Sequence, residues 1–347
     1  MTLTTPGHDL LAVPPARRAA IERLAGELVR GRVVVLSTHV NADGDGCGSE
    51  VALALLLRGM GLVPRIVNPT PWPNLFRFLL GSDLTEHSAD GAKGLAGADL
   101  LIVLDISDVG RLGYLADAVR KLSVPRAVID HHVAHDEPAG DILVSDIAAC
   151  ATGELVYDVA QVLGQPITPA MATALYVALL TDTGGFRFSN TSPRCHAIAA
   201  QLLAAGVEPE TIYRRVYQSV PAGRLHLLRD VLGSLEHDSS IGLAWVSIEA
   251  GVMERHGVLS EDMDGIVEHP RSIVGTRLAL FFRDLGHDRV KVSFRSTGGV
   301  DANVLARQFG GGGHAKASGA LIPGALGDVR TRVVEAARAY LKTVPTD

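Results

Sequence analysis

The sequence predicts an α/β protein: an N-terminal doubly wound, mainly parallel sheet, a helical linker, and a smaller mixed α/β C-terminal domain. Three observations support this. Short apolar runs alternate with helical periodicity through the first half of the chain, as the strands and crossover helices of a parallel sheet do. Those runs end in polar residues, where such sheets gather ligands. The 347 residues, 47% hydrophobic and 20% charged, exceed what one compact core needs, so two domains are expected. The expected boundaries are 1–205 for the first domain, 206–232 for the linker and 233–347 for the second.

Taken in order, residues 14–30 place Ala19, Ile21, Leu24, Leu28 and Val29 along one helical face, which would pack on the first strand. The run 33–36 is a buried strand. It leads into Ser37-Thr38-His39-Val40-Asn41-Ala42-Asp43-Gly44-Asp45-Gly46-Cys47-Gly48-Ser49, a glycine-rich turn before a helix over 48–60. A strand near 65–68 follows, then the proline-rich stretch 68–74, a loop over the sheet. Residues 98–104 form a buried strand that ends at Asp105, and 126–129 a short one that ends at Asp130-His131-His132.

Helices are expected over 152–163, 169–180 and 193–205, with Asp182 directly after the second. From 208 to 232 the period stays helical, which reads as one connecting rod. Strands over 242–248, 272–283 and 289–295 and a helix over 327–341 make the second domain mixed, at about 110 residues an ordinary domain size.

A net charge of −6 argues against coating long nucleic acids, which needs a basic face, and 5% aromatic residues argue against an extended base-stacking platform. A substrate with few phosphates is compatible with both. No stretch approaches the roughly 20 apolar residues of a membrane span. Pro6, His8 and Asp9 stand where a signal peptide would place a basic and then an apolar region, so a cytoplasmic protein is expected. Cys47, Cys150 and Cys195 are few, odd in number and widely spaced, as reduced thiols would be.

The chemistry rests on polar residues at the strand ends. His39 offers one imidazole nitrogen, and Asp43 and Asp45 offer carboxylates within a turn tight enough to bring them together. By themselves these residues fit a helix cap as well as a cation site. Adding Asp105, His131 and Asp182 gives two imidazoles and four carboxylates, a donor set that suits manganese or magnesium better than structural zinc. Four carboxylates call for about two divalent cations, and two ions roughly 4 Å apart suit phosphoester or phosphoanhydride hydrolysis. In Asp130-His131-His132, Asp130 and His132 would support His131, with His132 placed to touch substrate or protonate a leaving group.

Arg111 follows Asp105 and Arg187 follows Asp182, where a guanidinium fork would match phosphate oxygens. In the second domain, Ser293-Phe294-Arg295-Ser296 and Asp301-Ala302-Asn303 precede Gly310-Gly311-Gly312-Gly313-His314. Backbone amides at Gly312 and Gly313 could approach a phosphate, with Arg295, Ser296, Asn303 and His314 around them on one substrate-binding face; the plainer alternative is a flexible hairpin.

These motifs, in this order and spacing, resemble those of the DHH phosphoesterases, named for the run seen here as Asp130-His131-His132. His39-Val40-Asn41-Ala42-Asp43-Gly44-Asp45 is similar to the family's first metal motif, though Ala42 stands where the family often has proline. Leu104-Asp105 and Thr181-Asp182-Thr183-Gly184 look like its second and fourth. The tail resembles the DHH-associated domain, a pairing found in the nanoRNase branch of short-oligonucleotide ribonucleases and 3′-phosphoadenosine 5′-phosphate phosphatases.

The resemblance implies that His39, Asp43, Asp45, Asp105, His131 and Asp182 bind two manganese ions, with magnesium or cobalt as substitutes. It also implies that Arg295 and His314 hold substrate. The expected activity is release of nucleoside monophosphates from short RNA or DNA oligonucleotides and dephosphorylation of pAp-like nucleotides. A cyclic-di-AMP or pApA phosphodiesterase and a non-catalytic nucleotide sensor are the alternatives. A homodimer is a family-level expectation.

Overall fold

In the computed structural model, which describes residues 9–82, 84–134, 136–259, 263, 265–313 and 315–345, the N-terminal alternation becomes a five-stranded parallel sheet. The chain runs α1 (Pro15–Ala25), β1 (Val33–Ser37), α2 (Gly44–Gly59), β2 (Val63–Ile66), β3 (Leu100–Leu104), α3 (Ala116–Arg120), β4 (Arg126–Asp130) and β5 (Ile142–Ser145). It continues through α4 (Thr152–Val162), α5 (Pro169–Asp182), α6 (Pro193–Ala204) and α7 (Pro209–Tyr217). Three 3-10 segments, Asn74–Leu79, Ser88–Leu95 and Val109–Leu115, fill the long connections.

Strand order is β2-β1-β3-β4-β5, so the direction of winding reverses between β1 and β3. That switch point opens a crevice beyond the carboxyl ends of those two strands. Side chains alternate across the sheet, as the strand period of two requires. Val34, Leu36, Leu100, Ile102, Leu104, Ala127 and Ile129 face the helices α1, α2, α4, α5 and α6. Val35, Leu101, Val103 and Val128 face the other way, onto Val109, Leu112, Leu115 and Val119.

Two glycines explain how closely α2 meets α5. A Cβ on Gly48 would stand 2.4 Å from the Ala174 carbonyl oxygen, and one on Gly44 would stand 2.4 Å from the Thr181 hydroxyl. The first turn of α2 and the last turn of α5 therefore touch backbone to side chain. This brings Asp45 and Asp182 to the same end of the sheet.

The second compact unit begins at Ser219, the first ending at Gln218. It holds α8 (Ala222–Gly233), β6 (Glu236–Asp238), β7 (Leu243–Ile248), α9 (Val252–His256), α10 (Glu268–Arg271), β8 (Leu278–Asp284) and β9 (Arg289–Ser296). After these come α11 (Ala302–Arg307), β10 (Gly312–Gly313), β11 (Ala317–Pro323) and α12 (Leu326–Leu341). Its six strands form a mixed sheet in the order β10-β11-β9-β8-β7-β6, with β7 and β8 parallel and the other pairs antiparallel. Among the described residues no helix is long and apolar enough to cross a membrane.

Several expectations shift. The rod over 208–232 is two helices, α7 and α8, interrupted at residues 218–221, where Pro221 cannot donate to a continuing helix. Helix α2 starts at Gly44, four residues early, because the Asp43 carboxylate caps it by accepting from the N–H groups of Asp45 and Gly46 at 3.0 and 3.1 Å. The strand expected over 272–283 starts at Leu278. Strands β5, β6, β10 and β11 were outside the sequence expectations, as were the 3-10 segments. All three cysteines are free and buried.

Candidate metal centre

Each candidate ligand in the first unit sits just past a strand or at a helix end, and the sheet collects all six. His39, Asp43 and Asp45 leave the end of β1, Asp105 the end of β3, His131 the end of β4, and Asp182 closes α5. Two clusters result: His39 with Asp43 and Asp105, and Asp45 with His131 and Asp182. Asp105 also faces His131 and His132, and so joins the two.

The separations point to a shared ion. The Nε2 atom of His39 lies 3.3 Å from Asp105 Oδ2 and 3.9 Å from Asp43 Oδ1. That of His131 lies 3.7 Å from Asp45 Oδ2, 3.6 Å from Asp105 Oδ1 and 3.6 Å from Asp182 Oδ2. Most of these exceed a hydrogen bond, whereas atoms bound at ~2.1 Å to one ion stand roughly 3–4 Å apart.

Both imidazoles are oriented by their other nitrogen: Nδ1 of His39 meets the Val40 carbonyl at 3.0 Å, and Nδ1 of His131 meets that of Ala149 at 3.2 Å. A carbonyl can only accept, so Nδ1 carries a proton, and in the neutral ring Nε2 then presents a lone pair. For His131 that Nε2 is buried and has no hydrogen-bond partner among the described residues. A buried lone pair facing three carboxylates fits a cation.

The electrostatics agree. Burial holds the Asp105 carboxyl well above the usual range, and Asp45, Asp43, Asp130 and Asp182 add to the effect. Burial raises Asp45 as well, against the pull of His131 and of two backbone N–H groups. Asp182 is pushed up to about 8 by burial and by the charges of Asp45 and Asp43. Without positive charge between them, burial and mutual repulsion favour the protonated form of these groups. With two divalent cations they would ionise, and their oxygens would become ligands. The donor set fits hard divalent ions.

Asp105 has φ 63°, in the left-handed region that few residues other than glycine adopt. This bend at the end of β3 turns its carboxylate between the two clusters; strained backbone concentrates at functional sites.

Of the residues that support these groups, the sequence singles out only Asp130 and His132; the others come from tertiary placement. Helix α4 aims its N-terminus at Asp45: the N–H groups of Thr152 and Gly153 donate to Oδ2 and Oδ1 at 2.6 and 2.9 Å, and the Ser49 hydroxyl donates to Oδ1 at 3.0 Å. The Thr152 hydroxyl donates to Asp105 at 3.1 Å, and the Asn190 amide donates to Asp182 at 3.2 Å. Asp130 is fully buried, accepts from the Ser107 hydroxyl at 2.6 Å and meets His132 Nδ1 at 2.8 Å. Burial would raise Asp130, but the His132 ring and the Ser107 hydroxyl outweigh it and hold the carboxyl below its ordinary value. The one local sign of α4 is Thr152-Gly153-Glu154 opening a helical period, which gives no hint of its target.

Arg111 is exposed, its carbonyl accepts from the Val40 N–H at 3.2 Å, and its charge acts on His132. Arg187 is exposed too, with Nε donating to the Gly184 carbonyl at 2.6 Å. The remaining expected substrate contacts belong to the second unit. Arg295 lies on β9, its Nε 3.5 Å from Glu268 Oε1 and its Nη1 donating to the Phe294 carbonyl. Ser296 differs from expectation: it is buried, and its hydroxyl reaches the Val300 and Ala315 carbonyls at 2.8 and 3.0 Å, so it braces the loop before α11 rather than facing substrate. Asn303 opens α11 with its Oδ1 buried and unpartnered among the described residues. Gly312 and Gly313 are exposed as the edge strand β10, paired with Gly319 and Ser318. His314 lies outside the described residues.

Known proteins resemble this chain in sequence and in fold. The model described as "DHH family, N-terminal domain" matches residues 33–179, and that described as "DHHA1 domain" matches residues 246–343. The chain is 32% identical, over 92% of its length and 94% of the relative's, to the bifunctional oligoribonuclease and PAP phosphatase NrnA of Thermus thermophilus. It is 29% identical to the protein of that name from Bacillus subtilis, over 83% of this chain and 89% of that one. Among solved structures, an exopolyphosphatase-related protein from Bacteroides fragilis superposes with a TM-score of 0.85 at 27% identity, covering 94% of this chain and 96% of that one. The exonuclease RecJ, solved bound to manganese, superposes with a TM-score of 0.52 at 15% identity, covering 96% of each chain, a likeness of fold alone.

Proposed function

This chain belongs to the DHH phosphoesterase family, and on that premise we propose that it hydrolyses short oligoribonucleotides to mononucleotides and dephosphorylates 3′-phosphoadenosine 5′-phosphate. The observation that carries the reading is the convergence of the other five candidate ligands around Asp105, whose two oxygens face His39 and His131. His39, Asp43 and Asp105 would hold one divalent cation, and Asp45, Asp105, His131 and Asp182 a second, with manganese our choice for both. When bound, such a pair lowers the pKa of water and screens the charge of a phosphate.

The chain's own groups do the rest. Asp105, buried and bent, holds the two clusters in register. Asp130 fixes the His132 ring through Nδ1, which orients that imidazole to pass a proton to the leaving oxygen. Arg111, whose charge reaches His132, would take up phosphate charge beside it. The net charge of −6 restricts the substrate to a few phosphates, which favours oligomers of roughly two to five nucleotides. Such substrates and three reduced cysteines suit the cytoplasm.

The test is a turnover panel of 3′-phosphoadenosine 5′-phosphate, pApA, cyclic di-AMP and a five-nucleotide RNA, with and without manganese. Metal-dependent product from the first and last substrates, lost in Asp130→Ala and His131→Ala, is expected. Tight binding without product would replace the hydrolase with a nucleotide sensor, and turnover confined to the dinucleotides would replace it with a dinucleotide phosphodiesterase.

A further inference from the structure

Behind the His39 cluster lies a polar network with no part in the hydrolysis proposed for this chain. Strand β2 runs beside β1 in register, Leu36 opposite Ile66, and the Val67 N–H still donates to the Leu36 carbonyl. One residue further on, the backbone ladder gives way to a side chain. The Thr38 N–H donates to Oδ1 of Asn68 at 3.0 Å, and the Asn68 Nδ2 donates to Oε2 of Glu50 on α2 at 2.8 Å. Asn68 and Glu50 are both fully buried, and the Asn68 N–H is itself held by the Ser88 hydroxyl at 2.9 Å.

The direction of the Asn68 amide matters. Its oxygen must face Thr38 for the bond to form, and an amide turned end for end would set an N–H against an N–H. Glu50 supplies an acceptor on the opposite side, which selects the working orientation. Its other oxygen, Oε1, is buried with no hydrogen-bond partner among the described residues, so the carboxyl is kept there at a cost in solvation. The residue that this chain of bonds fixes is the one immediately before His39.

We propose that Glu50 is a positioning residue for the metal-binding histidine His39: it orients Asn68, which fixes the Thr38 backbone and thereby aims the His39 ring at Asp43 and Asp105. The proposal rests on the reading of His39 as a metal ligand. Glu50 belongs to neither candidate metal cluster, so it acts on ion affinity through Asn68. Groups that orient ligands in this way typically change metal affinity by roughly ten- to a hundredfold.

The experiment is a calorimetric manganese titration of chelator-stripped full-length protein, with thermal melting to confirm that each variant folds. The wild type is expected to take up two ions. E50A and N68A are expected to weaken one uptake event by roughly tenfold, the same event that H39A removes, while E50Q, which keeps an acceptor opposite the amide, recovers the wild-type value. In the H39A background E50A should have no further effect. Wild-type uptake in both E50A and N68A, or a loss from E50A that persists unchanged in H39A, overturns the proposal and leaves the metal reading intact. A stripped wild type that takes up no manganese overturns the metal reading and this proposal with it.

Discussion

The Asp105 carboxylate stands 3.3 Å from the His39 Nε2 through one oxygen, while its other oxygen lies 3.6 Å from the Nε2 of His131. A single buried side chain thus serves two clusters, and its charge is opposed by burial first and then by four neighbouring carboxylates. Function and stability conflict at this residue. Asp105→Asn keeps the volume and tolerates the positive φ, but it removes the charge that two cations would share. Turnover should fall by at least about a hundredfold. The metal-stripped variant should unfold later than the stripped wild type, by about 1–3 kcal/mol at pH 8. Steady-state kinetics and denaturant melts check the two halves, and a variant that is both inactive and destabilised would show that Asp105 is held by more than its charge.

Removal of metal should destabilise the protein more as the pH rises. In the metal-free protein the Asp182 carboxyl is pushed up to about 8 from 3.8. A group raised in the folded state contributes stability that is complete below its unfolded value and lost as pH climbs through the folded one. Metal-free protein therefore weakens from about pH 4 to pH 8, and bound cations offset the repulsion that weakens it. The gap in Tm between manganese-loaded and chelated samples should widen by roughly 5 °C between pH 6 and pH 8.5. Scanning calorimetry at several pH values measures it; a gap that stays constant would mean the carboxylates are not the source.

The contact of α2 with α5 sets the separation of Asp45 and Asp182, and Gly48 makes it possible. Within a helix, Gly→Ala normally stabilises by about 1 kcal/mol. Here the added methyl would sit 2.4 Å from the Ala174 carbonyl oxygen, which is backbone and cannot rotate away. Overpacking of that kind costs about 1–3 kcal/mol or more, so the penalty wins and Gly48→Ala should lower stability. Turnover should fall as well, because the two helix ends are pushed apart. A variant that melts higher than wild type would show the interface to be looser than these distances.

Among the candidate ligands, His39, Asp105, His131 and Asp182 were legible in the sequence because each closely follows an apolar run, where a polar residue has no packing reason to be, and Asp43 and Asp45 because they are carboxylates spaced by glycines in one turn. His39, Asp105 and His131 share one crevice through sheet order alone, and order follows from the alternation of strands and helices. What holds them was not legible. Thr152 and Gly153 meet Asp45 across more than a hundred residues of chain, and Asn68 meets Glu50 from inside a proline-rich stretch that reads as a loop. Such contacts depend on tertiary placement, for which a local pattern carries no signal. The break between α7 and α8 was hidden differently: helical periodicity survives Ser219-Val220-Pro221, and the proline there outweighs it. Ser296 shows the reverse error, a hydroxyl beside a glycine-rich tail that turns inward to two carbonyls.

The last prediction concerns the stability of the Glu50 site, separately from its effect on metal. Burial pushes the Glu50 carboxyl up to about 8 from the 4.5 of an unburied glutamate; the Asn68 amide works against this shift, and Glu86 adds to it. The folded protein thus binds a proton at Glu50 that the unfolded chain has released between those two values. By linkage, the contribution of the neutral acid is complete below about pH 4.5 and disappears as pH rises through 8. Glu50→Gln replaces the acid with a side chain of the same shape that cannot ionise. It should match wild type near pH 5 and become the more stable of the two by about 3 kcal/mol at pH 9. Urea melts of both proteins from pH 5 to pH 9 provide the measurement. A difference that does not grow with pH would mean that Glu50 is already ionised in the folded protein at neutral pH, held by a partner other than Asn68.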